Sequence, residues 1–337
     1  SPLLYLLLKY HKHPRLPRSR MKLLILLCLS SAVSCTSPCG IRQTREVSSR
    51  WKRLILGGQK VTTPRKWPWQ VYLRNVRNLN ESDYCGGTII AEQWVLTAAH
   101  CVADANRTSD VEAYAGITQF DEDEDDPSSR TYSSDFGGLL PAVAEVFIHP
   151  DYIDYNISDI ALIKLESPIN YDKNVAPICL PSPSQSIPNY GRAVIVGFGR
   201  SRGEGANGTV AGGQLQDAVV PIIPPEVCEE RWTVPGEHTL EEWRSLNVVC
   251  ASKKWRGTHR GDSGGPLMMI DADGRWFQLG IASFMGKYND GVDGEKFPKA
   301  FTDVRKYCDW IKEASDGEAS CQEDEVNLYH STNYYRG

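Results

Sequence analysis

Apolar residues in most of this chain fall in short runs broken by Gly, Pro, Asn or Asp. Past Leu56-Gly57-Gly58 these runs are Trp69-Gln70-Val71-Tyr72-Leu73, Gly87-Thr88-Ile89-Ile90, Trp94-Val95-Leu96-Thr97, Ile160 to Leu165, and Ala193 to Val196. Each is rich in β-branched or aromatic side chains and bounded by turn residues, the pattern of a strand. Only near the end does the period change. Val304, Tyr307, Cys308 and Ile311 recur at i, i+3, i+4 and i+7, predicting a helix from Thr302 to about Ala314. Residues 315–337 show no period and are expected to be a mobile tail. Many short strands with no long helix between them read as all-β, a barrel or a sandwich. The 28 Gly and 20 Pro supply the turns that such an architecture needs.

The first 54 residues differ from the rest. They hold 11 of the 37 Lys and Arg but one of the 42 Asp and Glu, so residues 55–337 carry a net charge of −15. That balance argues against a nucleic-acid or anionic-membrane partner, which needs a basic face. No apolar run reaches the ~18–20 residues of a membrane helix, so no membrane anchor is expected. Met21-Lys22, then Leu-Leu-Ile-Leu-Leu-Cys-Leu, then a run of small residues to Cys35 describe a secretory signal over 21–35. Residues 1–20 read as an upstream leader outside the fold.

Secretion makes the ten cysteines candidates for disulfides rather than metal sites. Cys28 leaves with the signal. A cut after Cys35 leaves eight, an even number: Cys39, Cys85, Cys101, Cys179, Cys228, Cys250, Cys308 and Cys321. A cut after Ser34 would leave Cys35 as an odd thiol, and no C-x-x-C pair points to zinc. Sequons at Asn80, Asn106, Asn156 and Asn207 agree with a secreted glycoprotein. The six acids of Asp121-Glu122-Asp123-Glu124-Asp125-Asp126 read as a solvated loop, with a calcium loop as the alternative.

Three blocks carry a family resemblance. Leu96-Thr97-Ala98-Ala99-His100-Cys101, Ser158-Asp159-Ile160-Ala161-Leu162 and Gly261-Asp262-Ser263-Gly264-Gly265-Pro266 resemble the catalytic blocks of the trypsin/chymotrypsin-like serine proteases. Ile55-Leu56-Gly57-Gly58, Trp67-Pro68-Trp69-Gln70 and the terminal helix fall at matching intervals, so the resemblance spans about residues 55–314. It implies two six-stranded antiparallel β-barrels followed by a C-terminal helix, with the site at the barrel junction.

The chemistry asks for these residue types in its own right. A serine hydroxyl is a weak nucleophile at neutral pH, so a base must take its proton as it attacks a carbonyl. His100 can do so near pH 7 and later protonate the leaving amine. Asp159 would hold the imidazole in the required tautomer, a function worth roughly 10⁴ in turnover. The N–H groups of Gly261 and Ser263 would form the oxyanion hole, where one donor is typically worth about 10²–10³ in kcat. No cofactor or metal is required.

The resemblance further implies the pairs Cys85–Cys101, Cys228–Cys250 and Cys39–Cys179, the last tethering a propeptide (residues 36–54) to the body; Cys308–Cys321 remains. Two family bridges are missing as whole pairs. His259 stands in place of one cysteine, and Ala193 with Met269 replace another pair. The specificity pocket departs as well. Gly257 stands where trypsin-like enzymes carry an aspartate, so a Lys or Arg preference is not expected. Lys299, in Pro298-Lys299-Ala300-Phe301, stands where a glycine keeps the pocket open. It sets a preference for Asp or Glu before the cut bond, or it turns to Asp290, Asp293 or Glu295 and narrows the pocket. Arg260 adds a positive group at the rim. Ser283-Phe284-Met285 resembles the segment that binds substrate backbone, with Met285 or Gly286 in the glycine's place. Activation by a freed N-terminus pairing with Asp262 favours Ile55 as the mature start, although Arg53 makes a start at Leu54 the competing choice.

These readings point to a secreted serine endopeptidase made as a zymogen, acting on protein or peptide substrates. An activating protease and protein inhibitors would be its other partners. The alternative is a catalytically silent homologue serving as a binding module.

Overall fold

The structure is a computed structural model that describes residues 39–42, 58–75, 84–105, 107–121, 131–132, 137–153, 157–199, 201–202, 209–210, 213–233, 239–253, 257–284 and 297–328. The four sequons, Ile55, Met285, the signal segment and most of the acidic run lie outside these residues, as do Asp290, Asp293 and Glu295.

Two antiparallel sheets dominate. The first contains β2 (Gln70–Asn75), β3 (Tyr84–Ala91), β4 (Trp94–Thr97), β5 (Val111–Ala115), β6 (Gly138–Leu139), β7 (Val143–Ile148) and β8 (Ala161–Leu165). Their order is β6-β5-β2-β3-β4-β8-β7. The edge strands β6 and β7 are separated by three residues along the chain. A connection that short spans little more than ~10 Å, so the sheet must curl until its edges approach. It is a half-barrel. β3 and β4 form a hairpin in which Ala91 faces Trp94 across two turn residues.

The second sheet closes. It contains β1 (Gln59–Lys60), β9 (Arg192–Gly197), β10 (Gln216–Ile223), β11 (Val248–Ala251), β12 (Pro266–Ile270), β13 (Trp276–Phe284) and β14 (Ala300–Asp303). The order β10-β9-β12-β13-β14-β11 returns to β10 through Ile222–Ala251 and Ile223–Cys250, giving a six-stranded barrel that β1 joins at β10.

Burial follows the pattern in the sequence. Trp67, Trp69, Val71, Tyr72, Ile89, Val95, Ile163 and Met268 share the largest core. Ala193, Ile195, Val220, Leu267, Met269, Phe277, Leu279 and Phe301 fill the closed barrel. Burying each large apolar side chain contributes ~1.5–3 kcal/mol. Ala193 and Met269, which stand where the family has a bridge, are both buried in that second core. Trp69 joins the sheets by donating its Nε1–H to Met268 Sδ at 3.0 Å.

Helix formation departs from the expectation at three places. The predicted start of the last helix, Thr302, is strand: Thr302 pairs with Val248 and Asp303 with Gly280. The Asp303 carboxylate then accepts the Arg305 N–H at 3.2 Å, a 3₁₀ turn follows, and α3 covers Cys308–Ala314. Two unpredicted helices, α1 (Pro225–Trp232) and α2 (Leu240–Ser245), precede β11. A capping box starts α2: Glu242 N–H donates to Thr239 Oγ1 at 3.3 Å, and Thr239 N–H donates to Glu242 Oε2 at 2.7 Å. Its Thr-x-x-Glu signature stood in the sequence.

All four expected disulfides are formed: Cys39–Cys179, Cys85–Cys101, Cys228–Cys250 and Cys308–Cys321. The segment from Ser315 to Leu328, expected to be mobile, is packed. Val326 N–H donates to Gln185 Oε1 at 2.8 Å, Gln185 Nε2 donates back to Val326 O at 2.9 Å, and Ala272 N–H donates to Asn327 O at 3.0 Å. A segment held by such isolated bonds and a few buried residues (Ser315, Ala319, Leu328) needs no repeating pattern.

Candidate active site

His100 lies on a single 3₁₀ turn, Ala99–Cys101, directly after β4. The Cys85–Cys101 bond ties that turn back to β3. Asp159 precedes β8 and is 2% exposed. The residue before it, Ser158, takes a left-handed φ of 49°. Asp159 Oδ1 accepts the His100 backbone N–H at 2.9 Å, and Oδ2 lies 2.7 Å from His100 Nδ1. Ser283 Oγ–H donates to the same Oδ2 at 2.5 Å, and Thr302 Oγ1–H donates to the Asp159 carbonyl at 3.0 Å. An ionised carboxylate only accepts, so Nδ1 must carry the ring proton and leave Nε2 with a lone pair. The Ser283 hydroxyl bond has no signal in the sequence, and it stands beside the expected role of the Ser283 segment in binding substrate backbone.

Ser263 sits in the turn between Gly261 and Pro266. Its carbonyl accepts the Gly86 N–H at 2.6 Å, so the turn is docked on the first sheet. Gly264 N–H donates to Ala282 O at 2.8 Å and Gly265 N–H to Asp262 O at 3.0 Å. Gly264 has φ +77°, and a Cβ there would run into Gly86 O and Thr97 Oγ1. Gly261 has φ +91° and lies against the Tyr84 ring. Only glycine adopts such backbone without strain. The Ser263 turn thus packs on β3 and on the strand that leads to His100, bringing it to the side of the site where the His100–Asp159 couple lies.

Behind the turn, Asp262 is half-buried. Its Oδ1 accepts Gly199 N–H and its Oδ2 accepts His259 N–H, each at 2.8 Å. Burial pushes its pKa up to about 6, opposed by those two N–H groups and by the charge of Lys299. Lys299 is 1% exposed. Its stem runs beside Gly257: a Cβ on Gly257 would stand 2.9 Å from Lys299 Cγ and 3.1 Å from Cε. Burial lowers the Lys299 ammonium to about 8, opposed by the charge of Asp262. The ammonium makes no hydrogen bond or ion pair among the described residues. Gly257 and Lys299 thus lie together, Thr258 is buried, and Arg260 is exposed. Phe284 is the last described residue of β13, with its backbone opposite Ala300.

A couple of carboxylate and imidazole next to a glycine-shaped serine turn is the constellation of a serine hydrolase. A family model described as Trypsin matches residues 55–311. The chain belongs to the trypsin family of serine proteases, and its closed barrel, half-barrel and short terminal helix agree with the chymotrypsin-like fold. Among curated proteins, ovochymase of Halocynthia roretzi is 30% identical over 281 residues. That match covers 82% of this chain and 16% of the ovochymase. Among the described residues, no helix is long and apolar enough to cross a membrane.

Proposed function

We propose that this chain is a secreted serine endopeptidase, made as a zymogen, that cleaves proteins through an acyl-enzyme with Ser263 as nucleophile. The observation that carries the reading is the Asp159 carboxylate holding His100 by two bonds, one to its backbone N–H and one to Nδ1. In the reaction, Nε2 takes the Ser263 proton as Oγ attacks the peptide carbonyl. The N–H groups of Gly261 and Ser263 take up the negative oxygen, at roughly 10²–10³ in kcat per donor. The imidazolium, stabilised by Asp159, gives its proton to the leaving amine. Water then repeats the sequence on the ester. The four disulfides and the signal-like segment 21–35 support secretion. Asp262, adjacent to both oxyanion donors, is the group that a freed N-terminus would pair with on activation by another protease.

The pocket reading is a preference for Asp or Glu before the cut bond. Two observations support it: Lys299 is buried beside Gly257, and no aspartate stands at that position. A charge-assisted hydrogen bond is worth about 1.5–3 kcal/mol, roughly tenfold to a hundredfold in discrimination. The test has two parts. A fluorophosphonate probe should label the activated protein, and Ser263→Ala should abolish both labelling and turnover without unfolding. A peptide library should show cleavage after Asp or Glu that Lys299→Gly removes. An unlabelled, inactive protein would favour the silent homologue, and wild-type cleavage mainly after Lys or Arg would refute the pocket reading.

A further inference from the structure

The segment that begins at Cys39 is held by more than its disulfide. Gly40 N–H donates to Pro177 O at 2.8 Å, and Trp276 N–H donates to Gly40 O at 2.9 Å. Gly40 has φ +70°, and a Cβ there would stand 2.7 Å from Trp276 N, so a glycine is needed for the segment to lie this close. Two residues on, Arg42 Cζ sits 4.6 Å from the Trp67 ring centroid and 4.6 Å from that of Trp276. The two indoles meet edge to face at 4.8 Å and 88°.

Both rings are fixed before the arginine arrives. Trp67 is 1% exposed and donates its Nε1–H to Asp217 Oδ2 at 2.8 Å, an oxygen also paired with Lys66 at 2.6 Å. Trp276 is 3% exposed and opens β13. A guanidinium keeps its charge at any ordinary pH and presents a flat face to an aromatic ring. A corner of two immobile indoles therefore binds it with little ordering of its own.

We propose that Cys39–Arg42 is a clip with its own guanidinium site in the Trp67/Trp276 corner, and that it binds the body without the disulfide. The peptide left on the N-terminal side of a cut beyond Arg42 then stays in place even when Cys39–Cys179 is open. A disulfide alone would keep the peptide attached but free to swing; the two backbone bonds and the arginine give it one orientation. The proposal does not rest on the activation reading, because the cut in its test is engineered.

The experiment uses the full chain with Cys39→Ser and Cys179→Ser and a site-specific protease sequence inserted within residues 43–53. A dye on the N-terminal peptide reports retention after cutting under native conditions. The peptide is expected to co-elute with the body at micromolar concentration, and adding Arg42→Ala should speed its release about tenfold. Arg42→Lys should fall between. A second measurement covers failure of the cysteine variants to fold: in the disulfide-intact, uncut chain, Arg42→Ala should quicken hydrogen exchange at the Trp276 N–H while the protein still melts cooperatively. Release equally fast with and without Arg42, or unchanged Trp276 exchange, would overturn the clip.

Discussion

Lys299→Met should make this protein more stable, and the gain should depend on pH in a defined way. The wild-type ammonium is buried, and desolvation holds it at about 8 against an ordinary 10.5. While charged, it costs the folded state about 3 kcal/mol. The attraction of Asp262 is already contained in that figure, since it opposes the effect of burial. Methionine keeps most of the stem that packs beside Gly257 and removes the charge. Below pH 8 the lysine is protonated in both folded and unfolded chains, so the full cost applies. Between pH 8 and 10.5 the folded protein sheds the proton while the unfolded chain keeps it. The unfolded state then binds more protons, and wild-type stability rises with pH across that window. The gain from Lys299→Met is therefore expected to be about 3 kcal/mol at pH 7, roughly 6–12 °C in Tm for a domain of this size. It should shrink towards zero by pH 10.5. Denaturant unfolding of both proteins at pH 7 and 10, with disulfides intact, measures this directly. A variant less stable than wild type at pH 7, or a gain equal at both pH values, would refute the reasoning.

Gly264→Ala should lose about 1–3 kcal/mol from the left-handed backbone alone, more from the contacts with Gly86 O and Thr97 Oγ1, and most of kcat with it; wild-type melting and turnover would contradict the turn geometry described. N-terminal sequencing of the active form should return Ile55, because the glycine pair Gly57-Gly58 sets the register of the inserting segment; a start at Leu54 would overturn that choice.

Much of the candidate site was legible without coordinates. His100, Asp159 and Ser263 each stand in a local block whose neighbours explain its backbone: a strand end before His100, a strand start after Asp159, glycines on both sides of the serine turn. The role of Ser283 was not legible. Its hydroxyl reaches Asp159 from 124 residues away, and no local pattern encodes such a contact. The helices α1 and α2 leave little trace in the pattern because α1 buries only Cys228 and Trp232 and α2 only Trp243, too few apolar positions for a period to show; the proline that opens α1 and the capping box of α2 are the available signs.

The chain's own pattern determined where strands form, how often it turns and which residue types could carry hydrolysis, because these depend on side chains a few positions apart. Tertiary structure decided what depends on burial. Only the pairing of the β14 strand with β11 and β13 puts Lys299 inside the protein, where desolvation and Asp262 give it a property that no exposed lysine has. Only the meeting of residues 39–42, 67 and 276 makes a seat for Arg42. The Cys308–Cys321 bond and hydrogen bonds with Trp94, Leu180, Ser182, Gln185 and the 271–275 turn together hold residues 315–328, which by themselves have no reason to be ordered. Local preferences act through neighbouring backbone and can be read in order. Charge, solvent exposure and hydrogen-bond partners are set by whichever distant segments displace the water.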